Sequence, residues 1–157
     1  MFRVVRAGVD PLSTLGSQAN GGRYNDRGVA SVLYTSLDKA TAVAEIARGL
    51  RNRGIGPSNF GPEDWWVYEI RVSLTELLDL GDAATQLSLD VTPEILVRDD
   101  TVETRRIGNY ARDEGVQAIL APSAAAVGSD DLVLFLDKLP ARPEVISSTA
   151  VGLSTTV

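Results

Sequence analysis

Three residues with side chains suited to chemistry follow one another at equal intervals early in the chain. They are Arg23, Tyr34 and Glu45, each eleven residues after the one before. Together they provide a cation, a phenol and a carboxylate, and Tyr24 adds a second phenol directly beside Arg23. Core packing alone does not require this combination of residue types, so we treat these four residues as candidates for a binding or catalytic site.

The composition restricts the chemistry further, because the chain contains no histidine and no cysteine. Without cysteine there are no disulfides, no thiolate zinc site and no cysteine nucleophile. Without histidine the commonest general acid–base group and the commonest transition-metal ligand are absent. Any catalysis must therefore use carboxylates, hydroxyl groups, guanidinium groups or the backbone.

Local signals predict how the first two candidates are held. Gly21 and Gly22 indicate a backbone bend, and Arg23 follows them directly, so a polar recognition group lies on that bend. Residues 29–36 are rich in β-branched and apolar types and predict a strand that carries Tyr34 near its end.

The third candidate lies in a predicted helix over residues 39–52, with Ser36 or Asp38 as the N-cap. Glu45 lies off the apolar stripe of this helix. A surface carboxylate beside Arg48 at i+3, which would contribute little, is the plain alternative to a site residue. The stripe expected to face the core consists of Ala40, Val43, Ala44, Ala47 and Leu50.

The rest of the chain predicts more strands than good helices, without regular alternation. This favours one α+β domain over residues 1–157, with a mixed β core, flanking helices and a frayed tail at 152–157. The other predicted elements are a strand at 2–6, loops at 7–22 and 54–64, a strand at 65–73, a short helical turn at 74–80, a loop or irregular segment at 81–92, a helix that begins at Pro93, a helix at 103–114, and strands at 117–121, 132–136 and 144–151.

Charge and hydropathy exclude several classes of function. The net charge of −6 argues against a large binding surface for DNA or RNA. No apolar run approaches the roughly 20 residues of a membrane span, and the amino terminus lacks a signal-peptide pattern, so we expect a cytoplasmic protein without membrane contact. Two acidic pairs could hold a hard cation, but no dense loop of oxygen ligands accompanies them, and we expect no metal site. They are Asp99 with Asp100 and Asp130 with Asp131.

The pattern GGRYN…G…LYTS…A..E, preceded by an FR near the amino terminus and followed by a late PS, resembles the RES domain. This family is the toxin half of bacterial toxin–antitoxin pairs and takes its name from Arg, Glu and Ser positions. The resemblance covers most of the chain, with Arg3, Arg23, Tyr34, Glu45 and Ser123 in the expected order. It implies a fold similar to that of ADP-ribosyltransferases, with a mixed α+β core that grips NAD in a cleft.

The resemblance also implies that NAD is a substrate rather than a tightly bound cofactor, and that its nicotinamide–ribose bond is cleaved. Cleavage develops positive charge on the sugar while a neutral group leaves, so Glu45 could stabilise that charge without help from histidine. Arg3 and Arg23 are candidates for the pyrophosphate, because a guanidinium forks onto phosphate oxygens. Tyr34 could stack on nicotinamide or orient the ribose, and Ser123 could bind that ribose or an attacking phosphate.

The acceptor is left open by the resemblance. The leading interpretation is a toxin that depletes NAD by phosphorolysis, with inorganic phosphate as second substrate, or by hydrolysis. The alternatives are a transferase that ADP-ribosylates one protein target and, in a different class, a protein that binds NAD without turnover. The family also implies a helix-turn-helix antitoxin of the Xre type that covers the active site, and DNA contacts would belong to this partner. The NAD-binding set comprises Arg3, Arg23, Tyr24, Tyr34 and Ser123.

Overall fold

The computed structural model describes residues 1–29, 31–56, 61 and 64–153, and within these ranges the chain has the predicted mixed α+β fold. The strands are β1 (Phe2–Arg6), β2 (Val32–Ser36), β3 (Trp65–Arg71), β4 (Leu77–Asp79), β5 (Ala118–Pro122), β6 (Asp130–Phe135) and β7 (Glu144–Ala150). The helices are α1 (Leu15–Asn20), α2 (Lys39–Arg51), α3 (Ala83–Leu89), α4 (Pro93–Val97) and α5 (Val102–Asp113).

The described strands form one sheet in the order β4-β5-β6-β2-β1-β3-β7. Neighbouring strands are antiparallel, except that β4 runs parallel to β5 at one edge. Helix α2 follows β2 in the chain and packs against β1, β2 and β3. It therefore lies over the middle of the sheet, where β2 and β1 are neighbours.

The two central strands, β1 and β2, are paired at one end only. Their register contains the single pair Phe2 with Ser36. By contrast, every residue of β1 is paired with β3, and every residue of β2 is paired with β6. Because β1 stays paired with β3 and β2 stays paired with β6, β1 and β2 diverge beyond Phe2 and Ser36 and leave a gap in the middle of the sheet.

The sheet buries apolar side chains on both faces, since adjacent residues of a strand point to opposite sides. Val32 of β2 packs with Leu96 of α4 and Ile107 of α5. Its neighbour Leu33 packs on the other face with Leu134 of β6. Full burial of one such side chain contributes about 1.5–3 kcal/mol. A separate cluster under α2 contains Val4, Ala42, Trp65 and Val67.

Most predicted elements are confirmed, including the helix that begins at Pro93, but three predictions are wrong. The predicted loop at 7–22 contains α1, the predicted helical turn at 74–80 contains β4, and the predicted loop at 81–92 contains α3. Strand β4 exists because it pairs with β5, a long-range contact that no local signal reveals. Helix α3 did carry a local signal, because the side chain of Asp82 caps it.

Three further predictions extend beyond the described ranges. The predicted strand at 29–36 includes residue 30, which the structure does not describe. The predicted loop at 54–64 includes residues 57–60, 62 and 63, and the predicted frayed tail includes residues 154–157, none of which the structure describes. Among the residues that it does describe, no helix has the length and apolar character needed to cross a bilayer.

Candidate active site

The gap between β1 and β2 opens into a cleft of about 380 Å³. This volume falls within the range of about 300–1,000 Å³ that is usual for small-molecule sites. Strand β1 forms one wall, and the end of β2 with the start of β6 forms the other, while α2 covers the side. The lining residues are Phe2, Arg3, Val4, Val5, Arg6, Val9, Tyr34, Thr35, Ser36, Ala42, Glu45, Ile46, Trp65 and Asp131.

The face that helix α2 turns to the sheet overlaps only in part with the apolar stripe predicted for it. Its buried residues are Thr41 and Ala42, whereas Ala40 at the start of the predicted stripe is exposed. Val43 and Leu50 of the predicted stripe pack partly against the cluster beneath the helix, together with Ile46. Glu45 follows Thr41 by one turn and therefore lies on the sheet side of the helix.

Asp38 explains why a threonine can be buried at the start of α2. It is the N-cap, as one of the two predicted candidates, and its Oδ1 accepts the backbone N–H of Thr41 at 2.9 Å. Its Oδ2 accepts the Thr41 hydroxyl at 2.6 Å. The polar groups of Thr41 are thus satisfied inside the protein, and the helix begins at a rotation that carries Glu45 inwards.

The Glu45 carboxylate is held by the segment that follows β5. Ser123 Oγ donates to Glu45 Oε1 at 2.6 Å, and the backbone N–H of Ala125 donates to the same oxygen at 3.1 Å. Ser123 is itself buried, and its hydroxyl oxygen accepts the N–H groups of Ala125 and Ala126. These contacts give the carboxylate a fixed orientation beside the cleft.

Glu45 does not pair with Arg48, although the alternative interpretation of Glu45 as a surface carboxylate placed it beside Arg48. Arg48 instead forms an ion pair with Asp99 at 2.5 Å. Asp100 lies 3.5 Å from Arg98, so both residues of this acidic pair face cations. Among the described residues no group of three or more His, Cys, Asp or Glu side chains could hold a metal ion.

Asp131 is a cleft residue that sequence reasoning missed. It is the cross-strand partner of Ser36, whose hydroxyl donates to Asp131 Oδ1 at 2.6 Å instead of capping α2. The Asp131 carboxyl is also within hydrogen-bonding reach of Glu45 and Ser123. Burial, followed by the negative charge of Glu45, raises the pKa of Asp131 to about 7. The only sequence signal was the acidic pair Asp130 and Asp131 before an apolar run, and this pair does not reveal that Asp131 faces Glu45.

Tyr34 lies on β2 with its hydroxyl against the GGRYN bend (residues 21–25). The hydroxyl donates to Asn25 Oδ1 at 2.7 Å and accepts the backbone N–H of Tyr24 at 2.9 Å. Gly22 packs so closely that a Cβ there would lie 2.3 Å from this hydroxyl oxygen, which explains the need for glycine. Burial raises the pKa of Tyr34, so the phenol stays protonated and serves as a donor.

Arg23 is not among the residues that line the cleft. Its Nη1 donates to the carbonyl oxygens of Leu96 at 3.2 Å and Arg98 at 2.6 Å, at the end of α4. Arg105 of α5 donates from Nε to the carbonyl of Gly22 at 3.0 Å. Both arginines therefore anchor the GGRYN bend to the helices, and a contact of Arg23 with pyrophosphate stays a prediction.

Arg3 does line the cleft, as expected for a residue on β1. Its Nη1 donates to the carbonyl of Pro11 at 2.9 Å, and its Nη2 donates to that of Ser13 at 2.8 Å. Burial lowers the pKa of Arg3 to about 10, so the group is still charged at neutral pH. It supplies the cleft wall with the positive charge that the predicted pyrophosphate ligand needs.

Tyr24 is a core residue rather than a cleft residue in this structure. It is 2% exposed and packs in the cluster that contains Val32 and Ile107. Its hydroxyl has no hydrogen-bond partner among the described residues. Gly108 of α5 lies against its carbonyl group, where a Cβ would come within 1.9 Å of the oxygen. Its connection to the site is the backbone N–H that binds the hydroxyl of Tyr34.

The fold thus brings Arg3, Tyr34 and Glu45 to one cleft, with Ser123 behind Glu45 and Asp131 beside it. A carboxylate fixed by two donors can stabilise positive charge that develops on a bound sugar, and a nearby guanidinium can hold an anionic group. The fold and the site together define a mixed α+β protein with a ligand cleft lined by carboxyl and guanidinium groups.

Comparison with known proteins identifies the family. The RES domain model matches residues 1–153, and the chain belongs to the RES domain family. The resemblance noted in the GGRYN, LYTS and late PS motifs is therefore confirmed.

Two further comparisons, both with Mycobacterium tuberculosis, show what the chain is similar to. The probable NAD(+) phosphorylase Rv3189 is 34% identical over 131 residues, which cover 83% of this chain and 61% of that protein. The fold is similar to that in the crystal structure of the M. tuberculosis MbcT-MbcA toxin-antitoxin complex, with a TM-score of 0.84 and 20% identity. That match covers 97% of this chain and 83% of the other, and it confirms the mixed α+β fold class.

Proposed function

We propose that this chain is the toxin component of a toxin–antitoxin pair and that it depletes cellular NAD by cleaving the nicotinamide–ribose bond. The observation that carries this proposal is the Glu45 carboxylate, fixed by Ser123 and Ala125 in the cleft between β1 and β2. Membership of the RES domain family and the similarity to a probable NAD(+) phosphorylase support it.

In the proposed reaction the bond between C1″ of the nicotinamide ribose and the nicotinamide nitrogen breaks. The electron pair leaves with nicotinamide, which departs neutral, and the ribose takes on oxocarbenium character. The Glu45 carboxylate stabilises this charge, an interaction that strengthens only as the bond breaks. An oxygen of phosphate or of water then bonds to C1″. Phosphate yields ADP-ribose 1″-phosphate, and water yields ADP-ribose with release of one proton.

The other cleft residues have roles that follow from their contacts. Arg3 supplies positive charge for the pyrophosphate. The Tyr34 hydroxyl is already engaged by Asn25 and by the backbone of Tyr24. This favours the ring of Tyr34, rather than its hydroxyl, as the group that meets the ligand, so stacking on nicotinamide is its proposed role.

The product spectrum from NAD tests the proposed function. The purified chain is incubated with NAD in phosphate buffer, in phosphate-free buffer, and with a bacterial protein extract, and the products are identified by mass. We expect nicotinamide together with ADP-ribose 1″-phosphate or ADP-ribose. NAD loss that needs extract and adds ADP-ribose to one protein would establish the transferase alternative. NAD binding without loss in all three arms would leave a non-catalytic binding protein.

The proposed partner is a helix-turn-helix antitoxin of the Xre type that covers the cleft. The similarity in fold to a toxin of a toxin-antitoxin complex supports such a partner. A net charge of −6 suits the chain poorly to DNA, so operator binding belongs to the antitoxin, and both act in the cytoplasm. The test is co-purification with the product of a neighbouring gene and loss of NAD turnover in the complex. Turnover unaffected by that product would contradict this part of the proposal.

A further inference from the structure

Two carboxyl groups from distant parts of the chain meet in the cleft. Glu45 of α2 and Asp131 of β6 both line it, and their carboxyl groups are within hydrogen-bonding reach of each other. Two ionised carboxylates at such a distance repel strongly in a partly buried site. The pair is therefore most stable when it holds a single proton, shared in one hydrogen bond.

The surrounding donors indicate which residue carries that proton. Glu45 Oε1 accepts hydrogen bonds from Ser123 Oγ and from the backbone N–H of Ala125, the pattern expected of a carboxylate. The partners of Asp131 are the hydroxyl groups of Ser36 and Ser123, which can accept as well as donate, so this position suits a protonated carboxyl group. Burial and the charge of Glu45 raise the pKa of Asp131 to about 7, so at lower pH it is the protonated member of the pair.

The other charged and titratable groups near Asp131 come from β1, β2 and the GGRYN bend. These groups are guanidinium and phenol groups, and Glu45 supplies the carboxyl group that faces Asp131 directly. Two guanidinium groups lie in the same cleft, and two phenols border it or lie behind it. These groups are Arg3, Arg6, Tyr34 and Tyr24.

We propose that protonated Asp131 donates a hydrogen bond to the Glu45 carboxylate and holds it in the orientation that faces the cleft. Asp131 is thus a positioning residue that acts through Glu45. The effect of Asp131 on NAD turnover rests on the proposed function. The hydrogen bond between the two carboxyl groups does not depend on that function. When Asp131 ionises, the hydrogen bond is lost, and a second negative charge repels both Glu45 and the pyrophosphate of NAD.

The first test observes the two carboxyl groups without any substrate. The protein is labelled with ¹³C at the Asp and Glu carboxyl carbons and titrated by NMR, with Asp131→Asn used to assign the Asp131 signal. We expect Asp131 to titrate near 7 in the unmodified protein and at lower pH in Glu45→Gln, which removes the neighbouring charge. Titration of Asp131 in the ordinary range near 3.8, or no response to Glu45→Gln, would overturn the proposal.

The second test measures kcat/KM for NAD between pH 6 and pH 9. For the unmodified protein we expect a fall above pH 7 of up to about tenfold per pH unit, because one ionisation removes the active form. Asp131→Asn keeps an N–H donor that cannot ionise, so its profile is flat in this range. Asp130→Asn removes a charge of the same sign from the neighbouring residue, and we expect its kcat/KM to depend on pH as in the unmodified protein.

The two tests distinguish a failure of the positioning role of Asp131 from a failure of the proposed NAD cleavage. An Asp131→Asn variant that shows the same fall with pH as the unmodified protein would make Asp131 a structural residue and overturn the positioning role. If the unmodified protein consumes no NAD at any pH, the proposed function fails. The NMR titration then still decides whether Asp131 donates to Glu45.

Discussion

Ser123 Oγ donates a 2.6 Å hydrogen bond to Glu45 Oε1 across a separation of 78 positions in the chain. The bond joins helix α2 to the segment between β5 and β6. The backbone N–H of Ser123 is fixed in turn by the carbonyl of Ser129 at 2.8 Å. The orientation of the Glu45 carboxylate is therefore set by a short loop on the far side of the cleft from β1.

Replacement of Ser123 by alanine should lower kcat for NAD loss about 10- to 100-fold, with a smaller effect on KM. A hydrogen bond to a charged group is worth about 1.5–3 kcal/mol, and about 1.4 kcal/mol corresponds to a factor of ten in rate. The Ala125 N–H still holds Glu45, so some activity remains. Steady-state kinetics measure the effect, with Ser129→Ala in the same loop as the control. An equal loss in both variants would show that the loop, not this hydroxyl, is responsible.

Glu45→Gln should reduce NAD loss by about 10²–10³-fold while the fold stays intact, because the neutral amide cannot stabilise positive charge on the ribose. The measurement combines NAD consumption with urea unfolding. Glu76→Gln, which changes an exposed glutamate in the same way, should leave the activity unchanged. Activity that persists in Glu45→Gln would remove Glu45 from the mechanism.

Tyr34→Phe should destabilise the protein by about 1–3 kcal/mol. The substitution leaves Asn25 Oδ1 and the backbone N–H of Tyr24 without their partner, and Asn25 is only 1% exposed. Urea unfolding gives the change in free energy. Tyr110→Phe is the matched control, because Tyr110 is 53% exposed and should change the stability by less than about 0.5 kcal/mol. Similar values for the two variants would show that the Tyr34 hydroxyl does not hold the GGRYN bend.

Local sequence signals were sufficient to predict the positions of site residues that lie on or beside regular elements. The strand pattern placed Tyr34, the Asp38 cap placed the start of α2, and the Pro122-Ser123 step placed Ser123 after a buried strand. The order of these motifs was also sufficient for the family. Each of these features is encoded within a few residues of the position concerned.

Long-range relationships could not be predicted in the same way. The contact of Asp131 with Glu45 depends on the β2–β6 register and on the rotation of α2 over the gap. The apolar stripe of α2 predicted that rotation only in part, because a capped Thr41 can be buried like an apolar residue. Sequence spacing likewise did not reveal that the carbonyl groups at the end of α4 hold the Arg23 guanidinium outside the cleft lining, and a role for Arg23 beside Glu45 stays a prediction.

The stability of the protein should depend on pH through Asp131. Its pKa rises from 3.8 to about 7 on folding, so the folded state binds the proton more tightly than the unfolded state. The resulting stabilisation is fully present below pH 3.8 and is lost as the pH rises through about 7. The difference in unfolding free energy between Asp131→Asn and the unmodified protein should therefore shift in favour of the variant between pH 4.5 and pH 8. Urea unfolding at these two values tests this, and Asp130→Asn should show no comparable shift.

Gly108→Ala should destabilise the protein by about 3 kcal/mol or more, the upper range for overpacking. The added Cβ would lie 1.9 Å from the carbonyl oxygen of Tyr24, and no side-chain rotation relieves a clash with backbone. Gly49→Ala is the matched control in helix α2, where a Cβ meets nothing within 4 Å, and it should stabilise by about 0.5–1 kcal/mol. Urea unfolding of both variants gives the comparison. If Gly108→Ala is as stable as Gly49→Ala, α5 does not pack directly on the GGRYN bend, and the position of the Tyr34 hydroxyl must be fixed by β2 alone.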